Sequence, residues 1–162
     1  MMFLALTSAY IVRSGQENWL EFEIPSVFLW STAAIILSSG VLHLSYKAFK
    51  SNNTALYRGG MAVGFVLGLA FIALQYYGWL AMMDIGVEIN TNPSGSFIYV
   101  ISALHAAHVL GGLGVLTVAL IHAFSLKHRV TSKRVLRYEL TLTYWHFVGV
   151  LWIYLIGFFI LQ

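Results

Sequence analysis

The chain has 162 residues, 59% of them hydrophobic, with nine basic and six acidic residues, no cysteine and a mean hydropathy of +0.79. A soluble fold of this size leaves too much of its chain at the water boundary to hide that much apolar surface, so the expected solvent is lipid. The lack of cysteine excludes a disulfide framework, thiolate metal sites and cysteine nucleophiles, and the net charge of +3 matters less than its distribution over the loops.

A helix needs about 20 apolar residues to cross a hydrocarbon core roughly 30 Å thick. Taken in chain order, residues 1–12 come first and are too short: twelve residues rise only about 18 Å. They read as an incomplete span, with residues expected before Met1. No signal peptide is visible, since no basic stretch precedes the apolar run and no small-residue cleavage site follows it. Residues 24–46 form the next span, opened by Pro25 and holding His43. Residues 59–83 contain no ionisable group except Tyr76 and Tyr77, residues 94–126 carry His105, His108 and His122, and residues 140–162 carry His146. Backbone polar groups cannot be left open in lipid, so each segment is expected to be helical despite its β-branched residues. The fold predicted is all-α, a polytopic transmembrane helix bundle of about five spans in one domain, without repeats or low-complexity tracts.

The loops alternate in sign. Residues 13–23 hold one base and three acids, 47–58 three bases, 84–88 two acids, and 127–139 five bases and one acid. Basic loops face the cytoplasm, which predicts the N-terminus inside and the C-terminus outside. Asn90, Asn92 and Pro93 supply turn chemistry before the fourth long helix.

Few residues offer chemistry. Gly60, Gly64 and Gly68 are spaced four apart, on one helical face that lets another backbone approach. That face serves packing within the chain or docking against a partner. Gly111 and Gly112 offer a second small-residue face. His105 and His108 share a face near the middle of their helix, where an ionisable group is costly enough to suggest function. Two imidazoles on one helix do not make a metal site. A haem bracketed by His108 and His122 would need a matching pair on another helix. The plainer reading is that neutral histidines hydrogen-bond across helices and fix packing. Glu139 is expected in the first turn of the last helix beside Arg137, suited to the helix dipole. Arg129, Lys133, Arg134 and Arg137 form a seat for anionic lipid headgroups. Gln75 is a mid-span amide in need of a partner. No phosphate loop, catalytic triad or paired carboxylate is present, and nothing points to nucleic acid. No residue is predicted to be catalytic, cofactor-binding or metal-ligating.

Three stretches go further: Gly95-Ser96-Phe97-Ile98-Tyr99, Leu104-His105-Ala106-Ala107-His108-Val109 with Gly111 and Gly112, and Tyr144-Trp145-His146-Phe147-Val148 with Val150-Leu151-Trp152. In order and spacing they resemble subunit III of the haem–copper respiratory oxidases, in its short five-helix bacterial form. Glu139 falls where the family has a glutamate, Gln75 with Trp79 resembles its glutamine-x-x-glutamate-aromatic segment, and Thr7-Ser8-Ala9-Tyr10 resembles the end of its opening helix. The chain departs from the pattern at Gly149, where the family usually has aspartate, and at Gly78, where the glutamine segment has glutamate. The acidic residue of the family's first helix would lie before Met1.

The resemblance implies a non-catalytic accessory subunit of a proton-pumping cytochrome c oxidase in aerobic electron transport, in a bacterial cytoplasmic (inner) membrane. It implies no cofactor in this chain, haem and copper in partner subunits, contact with the large catalytic subunit I and with subunit II, and bound phospholipid. Such a subunit is associated with oxygen access and sustained proton uptake by its partner. The alternatives are subunit III of a quinol oxidase, a nitric oxide reductase-associated homologue, a haem-binding membrane cytochrome, and a transporter, the last weakened by the lack of broken helices or buried acids.

Overall fold

The computed structural model describes residues 2–14, 26–84, 86, 93–125 and 130–161. The regular structure among them is entirely helical: α1 (Met2–Ser14), α2 (Val27–Lys50), α3 (Thr54–Asp84), α4 (Pro93–Ser125) and α5 (Ser132–Leu161). The last four are long and apolar enough to cross a membrane. α1 has 13 residues and rises about 20 Å, less than a hydrocarbon core.

The helices outrun the apolar windows that predict them. α2 continues through Lys47 to Lys50, α3 begins at Thr54, and α5 begins at Ser132. Lys, Arg and Glu are strong helix formers, so a helix runs on into the headgroup layer after its apolar stretch ends. The expected basic loop of 47–58 shrinks to a three-residue turn, Ser51 to Asn53. Asn52 adopts a left-handed conformation with φ 58°, which asparagine tolerates better than most residues. The amide of Asn53 returns to the Ala48 carbonyl at 3.0 Å, and its side-chain oxygen accepts from the Leu56 amide at 3.2 Å, capping α3. So short a turn makes α2 and α3 an antiparallel hairpin.

α3 packs on α2 and α4, and α5 packs on the same two, closing a four-helix ring; α1 lies against α4. Cross-helix contacts set the directions. Thr32, Ser38 and Tyr46 of α2 meet Trp152, Trp145 and Glu139 of α5 in reverse order, and Arg58 of α3 reaches Ala123 of α4. The ring is therefore up-and-down. α1 covers one half of it: Phe3 touches His105 and His108 at mid-height, while Tyr10 packs on Phe97 and Phe158 near the end. Lys47, Lys50, Arg58, Lys133, Arg134 and Arg137 collect at the end that holds the α2–α3 turn. Outward faces carry apolar residues such as Leu37, Leu44, Val66, Leu110 and Phe147, as a lipid boundary requires. Pro25, Arg129, Asn90 and Asn92, and the acid-rich 15–23 segment, lie outside the described residues.

Candidate functional site

The interior is tied by hydroxyl relays anchored on tryptophan. The Trp145 indole on α5 donates to Ser38 Oγ on α2 at 3.1 Å, and Ser38 donates to the Gly64 carbonyl on α3 at 2.7 Å, joining three helices. One layer away, the Trp152 indole donates to Thr32 Oγ1 at 2.9 Å, and Thr32 returns its proton to the Phe28 carbonyl at 2.8 Å. On the α3–α4 side, Trp79 donates to Ser102 Oγ at 3.0 Å, and Ser102 donates to the Ile98 carbonyl at 2.6 Å. A tryptophan donor buried in an apolar bundle needs such an acceptor, and a serine or threonine passes the demand on to a helix carbonyl.

His105 sits among these layers with 0% exposure. Its ring stacks on Trp152 with centroids 5.0 Å apart and meets the Phe71 ring edge-on at 5.8 Å. His108, one turn on, is half-buried, and its Nδ1 donates to the Leu104 carbonyl of its own helix at 2.7 Å. The expectation that this pair hydrogen-bonds across helices is corrected for both. His105 is held by ring contacts with Phe71 and Trp152, and His108 by a carbonyl of its own helix. Gln75 is 1% exposed and makes no hydrogen bond within the protein.

A second polar group lines the α2–α5 seam. Ser39 hydrogen-bonds His146 Nδ1, whose ring lies 5.9 Å from that of exposed His43. Nearer the basic end, Tyr46 donates to Glu139 Oε1, and Lys50 lies 5.0 Å over the Tyr46 ring. Glu139 is thus not in a first turn: α5 starts at Ser132, and the carboxylate's partner is Tyr46 rather than Arg137. Exchanging Tyr46 for phenylalanine should destabilise the chain by about 1.5–3 kcal/mol, the typical net worth of a hydrogen bond to a charged group. Glu139→Gln keeps an acceptor and should cost less. Thermal midpoints in one detergent, compared for the two variants, check this.

The glycines divide. A Cβ on Gly60 would come within 2.8 Å of Ser45, on Gly64 within 2.5 Å of Leu42, and on Gly68 within 2.8 Å of Trp145. All three turn inward to other helices of this chain. Gly112 faces Trp145 and Tyr144 at 3.1 Å, but Gly111 differs from the expectation, with only the Tyr144 hydroxyl at 3.7 Å. Lys133 and Arg137 are exposed and Arg134 half-buried, all on the first turns of α5. At Gly78 the Phe28 ring, 2.9 Å from a Cβ, fills the space a larger side chain would need, whereas at Gly149 only Ile35 approaches, at 3.8 Å. Among the described residues no three His, Cys, Asp or Glu side chains converge to hold a metal ion.

Three functional contacts escaped the sequence reading. The Tyr46–Glu139 and Ser39–His146 pairs join residues 93 and 107 positions apart, a separation no local pattern reveals. Arg58 binds the Ala123 carbonyl through Nε at 2.7 Å and lies over the Phe124 ring at 5.5 Å. A cation at a helix C-terminus is favourable, but the sequence offers Arg58 only as a loop charge.

Four apolar helices closed around tryptophan relays and an enclosed histidine define a polytopic helical-bundle membrane protein. Residues 15–161 match the family model for cytochrome c oxidase subunit III, and the chain belongs to that family. It is 30% identical over 162 residues to cytochrome c oxidase subunit 3 of Synechocystis sp., spanning 95% of this chain and 66% of that protein. It is 30% identical to the Corynebacterium diphtheriae subunit 3, spanning 94% and 77%. Against the Petromyzon marinus subunit 3 it is 33% identical over 139 residues, 83% of this chain and 48% of that one. The chain is therefore shorter than these relatives. Membership favours neither the haem-cytochrome reading nor the transporter, quinol oxidase or nitric oxide reductase alternatives.

Proposed function

We propose that this chain is a non-catalytic accessory subunit of an oxygen-reducing, proton-translocating cytochrome c oxidase. The match to the subunit III family over residues 15–161 carries the reading. Haem and copper belong to the partner subunits. The chain sits in a bacterial cytoplasmic membrane, with its C-terminus outside and the end bearing Lys47, Arg58 and Lys133 facing the cytoplasm, because membrane proteins keep basic loops inside. Its exposed cations Lys133 and Arg137 meet anionic lipid headgroups, with Arg129 expected to join them.

The chain packs against the large haem–copper subunit I, with subunit II in the same complex. The α2–α5 seam supports that docking. His43 is exposed within a spanning helix, where an imidazole is costly against lipid and is better met by protein.

The test is purification in mild detergent through a tag on the C-terminus, with a reduced-minus-oxidised spectrum and mass identification of companions. A large haem- and copper-containing chain should follow, and the tagged chain stripped of it should be colourless. A coloured isolated chain, or no haem–copper companion, would overturn the proposal.

A further inference from the structure

We propose that Gln75 and His105 frame an internal hydration site, in which one or more ordered water molecules bridge α3 to α4 inside the bundle. Both side chains are enclosed, with exposures of 1% and 0%. None of their four nitrogen and oxygen atoms (Nε2 and Oε1 of Gln75, Nδ1 and Nε2 of His105) has a hydrogen-bond partner in the protein. Leaving one such group unmet costs about 1–3 kcal/mol, and four in one chain are too many to carry without a partner.

The two residues share one level of the bundle. Gln75 lies on α3 between Phe71, one turn before it, and Trp79, one turn after. The Phe71 ring is 5.8 Å from the His105 ring. The Trp79 indole nitrogen is 3.0 Å from Ser102 Oγ, three residues before His105 on α4. The turn carrying Gln75 therefore faces the turn of α4 that carries His105. Ser102 cannot serve either of them as a donor, since its proton goes to the Ile98 carbonyl.

Chemistry selects the occupant. No lipid or partner subunit reaches atoms this enclosed. The group presents an amide donor, an amide acceptor and an imidazole, which supplies one donor and one acceptor when neutral. A cation would be opposed by the N–H groups and an anion by the carbonyl oxygen. Water gives and takes hydrogen bonds together, and buried waters are held by two to four polar partners of this kind.

The test is a high-resolution map of the intact complex containing this chain, with water-edited nitrogen NMR of labelled histidine in the same preparation. The expected result is density about 3 Å from the Gln75 amide and from a His105 ring nitrogen, with rapid magnetisation transfer from water to His105. Gln75→Leu and His105→Phe should each lower the thermal midpoint, and the double variant by less than the sum. A map in which the amide meets the imidazole directly would overturn the proposal. So would one in which neither has a companion, or a histidine signal that receives nothing from water.

Discussion

Replacing Gly68 by valine should be the most damaging such exchange at any of the described glycines. A Cβ at this position comes within 2.8 Å of the Trp145 ring and 2.9 Å of Leu113, so one residue meets α5 and α4 together. Neither neighbour can retreat. Trp145 is 1% exposed, and its indole is held by Ser38; Leu113 is itself buried. Overpacking of a well-filled core costs roughly 1–3 kcal/mol, and here the cost falls on a ring already committed to a hydrogen bond. Gly68→Val should therefore reduce the folded fraction in detergent and the amount retained in the complex. The control is Gly114→Ala, where a Cβ meets nothing within 4 Å. That exchange should be neutral or slightly stabilising, because glycine costs a helix about 1 kcal/mol relative to alanine. Equal loss in both would mean that the glycines serve some end other than close approach. Gly111→Ala should resemble the control, for its nearest neighbour is a hydroxyl at 3.7 Å.

The contrast between Gly68 and Gly111 bears on what a membrane sequence discloses. Apolar windows revealed the four long helices, because a hydrocarbon solvent imposes both length and composition. They did not reveal helix ends. Ser132 and Thr54 start their helices several residues before the apolar stretch, and this moved Glu139 from a first turn to the side of a helix. Spacing showed that Gly60, Gly64 and Gly68 share a face, but not that the face belongs to the interior; that depended on Leu42, Ser45 and Trp145 arriving from distant helices. Likewise, three-residue spacing put His105 and His108 together, while their opposite fates followed from what α1, α3 and α5 set beside them. The family motif around Trp145 and His146 was legible as a string. Its physical content, an indole and an imidazole each reaching a serine of α2, needed the fold.

Trp145→Ala should exceed every other truncation in cost, and the reason can be separated into parts. The indole is among the largest fully buried side chains in the chain. Its loss opens a cavity between α3, α4 and α5, where Gly68 and Gly112 provide no side chain to fill it. Large aromatic-to-alanine changes in cores cost about 3–5 kcal/mol. A further part comes from Ser38, which loses its donor while still giving its proton to the Gly64 carbonyl. Trp145→Phe loses the indole donor, worth about 1 kcal/mol, and also the outer ring atoms that lie against Gly68, so it opens a smaller void than the alanine exchange. Ser38→Ala removes the acceptor and leaves a buried indole N–H unmet, a penalty of about 1–3 kcal/mol, although it deletes one atom. Unfolding midpoints of the three variants, measured in a single detergent, should all fall below that of the parent chain, with Trp145→Ala the lowest. If Ser38→Ala proved neutral, the indole would be finding another acceptor, and the three-helix relay would not be what holds α2, α3 and α5 in register.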